Sequence, residues 1–93
     1  MKVSEVQQKL GLNVITLPSP EREVEGGYVG DLLSWVMGRV TEDYAWVTIM
    51  SNINIVAVAS LADVACIILA EDVTLEDDVI NAATEKNINI LYI

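Results

Sequence analysis

Val64-Ala65-Cys66-Ile67-Ile68-Leu69-Ala70 decides the fold. It is apolar at every position and rich in branched side chains, so it has no polar face to turn toward water. A strand with that pattern is covered on both sides, which is the condition of a parallel sheet under helices. Two further runs carry the same stamp, Tyr44-Ala45-Trp46-Val47-Thr48-Ile49-Met50 and Asn87-Ile88-Asn89-Ile90-Leu91-Tyr92-Ile93. Neighbouring runs start about 20 residues apart, the length of a β-α-β unit with its crossover helix.

The connecting segments supply the helices. Thr74 to Lys86 opens with Thr74 as a candidate cap and Glu76, Asp77 and Asp78 in the first turn, where the helix dipole favours negative charge. Leu75, Val79 and Ala83 repeat on one face, and Asn87 can end the helix. Asn54 to Ala62 has strand-forming residues, Ile55-Val56-Ala57-Val58-Ala59. Its place between two parallel strands predicts a helix. Such a helix, apolar all round, must be buried on more than one side, and it is a candidate dimer surface.

Upstream, Val3 to Leu10 predicts a short amphipathic helix stopped by Gly11, and Asn13 to Leu17 a strand. Pro18-Ser19-Pro20 makes a loop. Glu21 to Tyr28 is polar, with a turn at Gly26-Gly27 and a short edge strand at Glu23 to Glu25. Asp31 to Val40 predicts a helix with Leu32, Trp35, Val36 and Val40 facing inward. The expected architecture is a three-layer α/β/α domain with a mostly parallel sheet of 4–5 strands. The pattern ends on a strand at Ile93, where one more helix is expected, so a domain shortened at its C-terminus is anticipated.

With 93 residues the chain suffices for one domain, 1–93. Hydrophobic residues make up 53%, more than so small a core can hide, which predicts a partner surface and most simply a homodimer. The longest apolar run falls far short of the ~20 residues needed to span a bilayer, and the polar N-terminus lacks a signal-peptide core. A single cysteine, Cys66, forbids an internal disulfide and fits the cytoplasm. Fourteen acidic residues against five basic ones give a net charge of −9, which opposes binding to nucleic acid or anionic membrane.

Histidine is absent. That removes the commonest general base and the commonest transition-metal ligand. No Walker A loop or G-x-S-x-G elbow is present. The sequence therefore predicts a binding protein, not an enzyme, with no catalytic residues, no metal and no cofactor. In open α/β sheets, ligands bind beyond the carboxyl ends of the strands. The candidate rim is Met50, Ser51, Asn52 and Asn54, with Glu71, Asp72 and Thr74. Ser51 and Asn52 are also favoured helix caps. Gly26 to Gly30 could shape an anion-binding loop, which adds Gly27 and Gly30 to the candidates, although Glu21, Glu23 and Glu25 beside it oppose an anion. A glycine pair in a plain turn accounts for the same residues. Glu71, Asp72, Glu76, Asp77 and Asp78 match no calcium loop and fit a helix N-terminus. Arg22 and Arg39 are expected at the surface beside acids, Trp46 and Trp35 in the core, and Cys66 as an inert core thiol.

From Gly30 onward the order of elements resembles the DRTGG domain, a small α/β module found beside CBS domains and similar in fold to the N-terminal domain of HPr kinase. Val29-Gly30 before a helix, Val47-Thr48-Ile49 before an Ala-rich helix, and Cys66-Ile67-Ile68-Leu69 with Ile88-Asn89-Ile90-Leu91 carry the likeness. The signature itself is replaced. Ser51-Asn52 stands where the family has Asp-Arg, and Ala70-Glu71-Asp72 where it has Thr-Gly-Gly. The resemblance implies a regulatory or ligand-sensing module, often dimeric, that binds a small molecule such as a nucleotide or regulates an associated enzyme. The alternative is a protein–protein adapter, or an accessory subunit of a redox (hydrogenase-type) or kinase complex. Stand-alone relatives carry an iron–sulfur label, but one cysteine without histidine cannot ligate a cluster.

Overall fold

The computed structural model describes residues 1–93 as one open twisted sheet with helices on both faces. In chain order the elements are α1 (Val3–Leu10), β1 (Asn13–Thr16), β2 (Gly26–Val29), α2 (Leu33–Arg39), β3 (Tyr44–Thr48), α3 (Asn54–Ala62), β4 (Cys66–Leu69), α4 (Asp77–Glu85) and β5 (Ile90–Tyr92). Sheet order is β1-β5-β4-β3-β2. Strands β2, β3, β4 and β5 run parallel, and β1 pairs antiparallel with β5. The mostly parallel five-stranded α/β sheet is the one predicted. No helix is long and apolar enough to cross a membrane.

The sheet divides the core in two. On one face Trp46, Ile67, Leu69 and Ile90 pack against Val36 of α2, Ile55, Val56, Val58 and Ala59 of α3, and Val79 and Ala83 of α4. On the other, Ala45, Cys66, Ile68 and Leu91 meet Val3 of α1 and Leu12. Every crossover helix thus lies on one face, and only α1 with its flanking segments covers the other. This explains why β4 is buried at all four positions.

Where β1 meets β5 the ladder slips between Val14 and Thr16. The Thr16 hydroxyl fills the gap, donating to the Ile88 carbonyl at 2.7 Å and accepting from Ile90 N–H at 3.0 Å. A buried polar side chain thereby restores the hydrogen bonds that a bulge takes away. At the end of the sheet where β3 and β4 begin, Arg22 pairs with Asp43 at 3.0 Å and Asp63 at 2.9 Å. It ties the β1–β2 connection to the loops that lead into β3 and β4.

Several expectations are corrected. Gly26-Gly27 is not a turn but the start of β2, and Glu23 to Glu25 is not a strand; Glu23 makes only an isolated bridge with Lys2. Glycine suits that strand because a Cβ at Gly26 would lie 2.8 Å from the Tyr44 ring. Trp35 and Leu32 do not face inward. They are 55% and 56% exposed, because α2 sits at the end of the helical layer and buries one stripe, Leu33, Val36 and Val40. Arg39 lies over the Trp35 ring at 4.3 Å instead of beside acids. Thr74 does not cap α4, whose flanking residue is Glu76. The segment ahead of the helix is drawn across the sheet end by Leu75, which packs on the core. Helix α3 is buried on its inner side but leaves Leu61 75% exposed.

Candidate ligand site at the carboxyl ends of the strands

Strands β2, β3 and β4 end nearly level, with Val29 beside Val47 and Thr48 beside Leu69. Three loops leave from there. The first is fixed by Trp46, whose buried indole Nε1–H donates to the Gly30 carbonyl at 2.9 Å. Gly30 N–H donates to the Val47 carbonyl at 3.0 Å. A side chain at Gly30 would put its Cβ 2.8 Å from the Tyr28 ring, so another residue here would have to displace that ring. The second loop is held by Met50 N–H, which donates to Thr48 Oγ1 at 3.2 Å. In the third, Ala70 N–H donates to the Thr48 carbonyl at 3.0 Å.

These loops leave two hollows. One, of about 230 Å³, is lined by Val29, Gly30, Asp31, Val47, Ile49 and Ala70, with Thr48 between them. The other, of about 370 Å³, is lined by Ser51, Asn52, Ile53, Thr74, Glu76, Asp78 and Val79. Neither contains a lysine or arginine.

Of the candidate residues, Ser51, Asn52 and Thr74 meet in the second hollow and Gly30 lines the first. The others lie apart. Met50 packs its side chain on the core, since the loop turns inward after Thr48. Gly27 is inside β2, paired with Ala45, so no loop of free N–H groups exists there. Asn54 lies exposed in the first turn of α3, and its N–H is taken by Asn52 Oδ1 at 2.9 Å. Asn52 thus makes an Asx turn just ahead of that helix, whose flanking residue is Ile53. Glu71 and Asp72 are exposed and line neither hollow.

The first hollow was almost wholly missed by sequence reasoning. Its walls are the last residues of strands and the residues just beyond them. The sequence reading placed its candidates one or two residues further along each loop, where Ser51, Asn52 and Thr74 line the second hollow.

Glu71 and Asp72 have φ of 62° and 56°. Two successive left-handed residues that are not glycine store about 1 kcal/mol or more each. This is the pair of positions where the DRTGG resemblance expects Gly-Gly. The backbone follows a path here that glycine adopts more readily than either acid.

The titratable groups are disposed for solubility. Thirteen carboxylates are exposed, and the remaining one, Asp43, is half-buried and paired with Arg22. Burial pushes the Cys66 thiol up to about 12, which keeps it protonated and unreactive at neutral pH. No buried side-chain donor or acceptor is left without a partner.

The fold and rim thus define an open, mostly parallel α/β domain with a strand-end hollow. No family model matches the sequence, and no curated protein does. Among solved structures it is similar to the CBS and DRTGG domains of the regulatory region of Clostridium perfringens pyrophosphatase, crystallised with an activator, diadenosine tetraphosphate. The TM-score is 0.72 at 13% identity, over 98% of this chain and 40% of that chain. The likeness is one of fold, and the fold is DRTGG-like. This chain spans well under half of the protein it matches.

Proposed function

We propose that this chain is a non-catalytic regulatory module, a homodimer, that binds a small molecule at the carboxyl ends of β2, β3 and β4 and signals its presence to an associated enzyme. One observation carries this reading. The strand ends border an open hollow fixed by the Trp46–Gly30 hydrogen bond, while histidine is absent, the one cysteine is sealed in the core, and every carboxylate is exposed except Asp43, which pairs with Arg22. The similar regulatory region was solved with an activator bound, which supports a ligand-sensing role. The lone buried cysteine suits work in the cytoplasm.

A thermal-shift screen against metabolites tests the proposal. Ligand at a hundredfold excess over its dissociation constant adds about 2.7 kcal/mol and raises Tm. A screen in which no metabolite raises Tm counts against it, and light scattering that finds only monomer removes the dimer.

A second reading, a protein–protein adapter, is favoured by the outer surface of the helical layer. Leu32, Trp35, Met37 and Leu61 are all strongly exposed there. Exposed tryptophan with a stacked arginine is the composition of interface hot spots. Affinity capture with Trp35→Ala as control separates the readings, since only adapter binding is lost in that variant.

A further inference from the structure

We propose that the hollow between Val29, Val47, Ile49 and Ala70 takes one planar ring of an uncharged or cationic compound, the size of a nucleobase or an aromatic amine, and rejects phosphorylated compounds. The proposal rests on the rim reading above and specifies its ligand.

Size sets the first limit. At about 230 Å³ the hollow lies below the roughly 300–1,000 Å³ of sites that enclose whole drug-sized molecules. It has room for one ring system. Its walls are aliphatic, and Asp31 is the sole ionisable residue among them.

Charge sets the second limit. A phosphate needs arginine, lysine or a set of free backbone N–H groups. All five basic residues are elsewhere. Lys2 pairs with Glu21, and Arg22 is held by Asp43 and Asp63 ahead of β3 and β4. Arg39 and Lys86 lie at the C-terminal ends of α2 and α4, and Lys9 in the last turn of α1. None of α2, α3 and α4 carries a basic side chain in its first turn. Asn52 Oδ1 accepts from Asn54 N–H in α3, and Asp78 Oδ1 accepts from Val79 N–H at 2.9 Å in α4. Around the rim stand Asp31, Glu71, Asp72, Glu76 and Asp78, all exposed acids. An anion approaching this edge meets carboxylates and no basic side chain, whereas a ring amine meets a wall that includes Asp31.

The test is a titration of the isotope-labelled chain, followed by amide NMR, with adenine, adenosine, AMP, ATP and tryptamine as probes. The expected result is movement of the amides of Val29 to Asp31, Val47 to Ile49 and Ala70 with adenine, adenosine and tryptamine. Affinity should fall with each phosphate, ATP binding at least about tenfold more weakly than adenosine. Asp31→Asn should weaken tryptamine and narrow the gap between adenosine and ATP. If ATP moves these amides as tightly as adenosine, the charge selection is overturned while the rim reading stands. Ring probes that move a different set of amides overturn the assignment to this hollow. No response to any of the five overturns this proposal, and the rim reading is then decided by the wider metabolite screen.

Discussion

The carboxamide of Asn89 grips both backbone groups of Ser19. Its Nδ2 donates to the Ser19 carbonyl at 2.8 Å and its Oδ1 accepts from Ser19 N–H at 2.9 Å. A second Nδ2 bond reaches the Ala65 carbonyl at 3.0 Å. Asn89 is 1% exposed; its bond to Ala65 is buried and the two to Ser19 are partly so. One side chain thus pins the Pro18–Pro20 loop to β5 and to the entry of β4. Asn89→Leu keeps the volume but orphans Ser19 and Ala65. It should cost about 2–4 kcal/mol, from a penalty of 1–3 kcal/mol per unsatisfied buried group. Urea unfolding measures it, and a loss under about 1 kcal/mol would sink the assignment.

The left-handed pair in the β4–α4 loop predicts an unusual gain. Glu71→Gly should stabilise by about 0.5–1 kcal/mol, the relief of strain exceeding the extra chain entropy of glycine. Asp72→Gly should gain less, because aspartate tolerates this conformation better. Paired denaturation curves test the ranking. Destabilisation by both variants would show that the acids make contacts worth more than the strain.

Cys66 links stability to alkaline pH. Its thiol sits near 12 in the folded chain against 9.0 in the open. Between those values the unfolded state has lost the proton and the folded state keeps it. Unfolding is therefore favoured by about 1.4 kcal/mol per pH unit as pH rises through that window, and the effect is absent below it. Cys66→Ala should flatten this part of the stability curve relative to the parent. At pH 8 the folded thiol should also resist iodoacetamide until denaturant is added. Rapid modification of the native chain would contradict both expectations.

Trp35 tests the exposed face of α2. A core tryptophan replaced by alanine costs about 3–5 kcal/mol. Here the loss is the stacking on Arg39 and little else, so Trp35→Ala should change stability by less than about 1 kcal/mol. A large loss would restore the inward placement that the sequence suggested.

Trp35 also marks the limit of what the chain discloses on its face. The three branched runs were legible as buried parallel strands because a strand covered on both sides has no alternation to misread. Helix Asn54–Ala62 was legible only through topology, since its own residues favour a strand. What could not be read depended on neighbours. Whether Trp35 is covered turns on α2 being the last helix of its layer. Gly26 and Gly27 look like a turn until the Tyr44 ring is known to lie beside Gly26. The hollow at Val29, Val47 and Ala70 exists because three strands end level, and no residue in any one of them announces that.

The sheet order also bears on how the chain reaches its native state. Strands β2 to β5 each pair with the next in sequence, so the parallel array can grow by successive short closures. The exception is β1, where the Thr16–Ile90 hydrogen bond joins residues 74 apart. Closing so long a loop is entropically late. Substitutions at Thr16 should accordingly speed unfolding with little effect on the folding rate, giving a φ-value near 0. Variants of Ile67, in the middle of the array, should give values above about 0.5. In stopped-flow refolding the first strand of the sequence would then be the last to join.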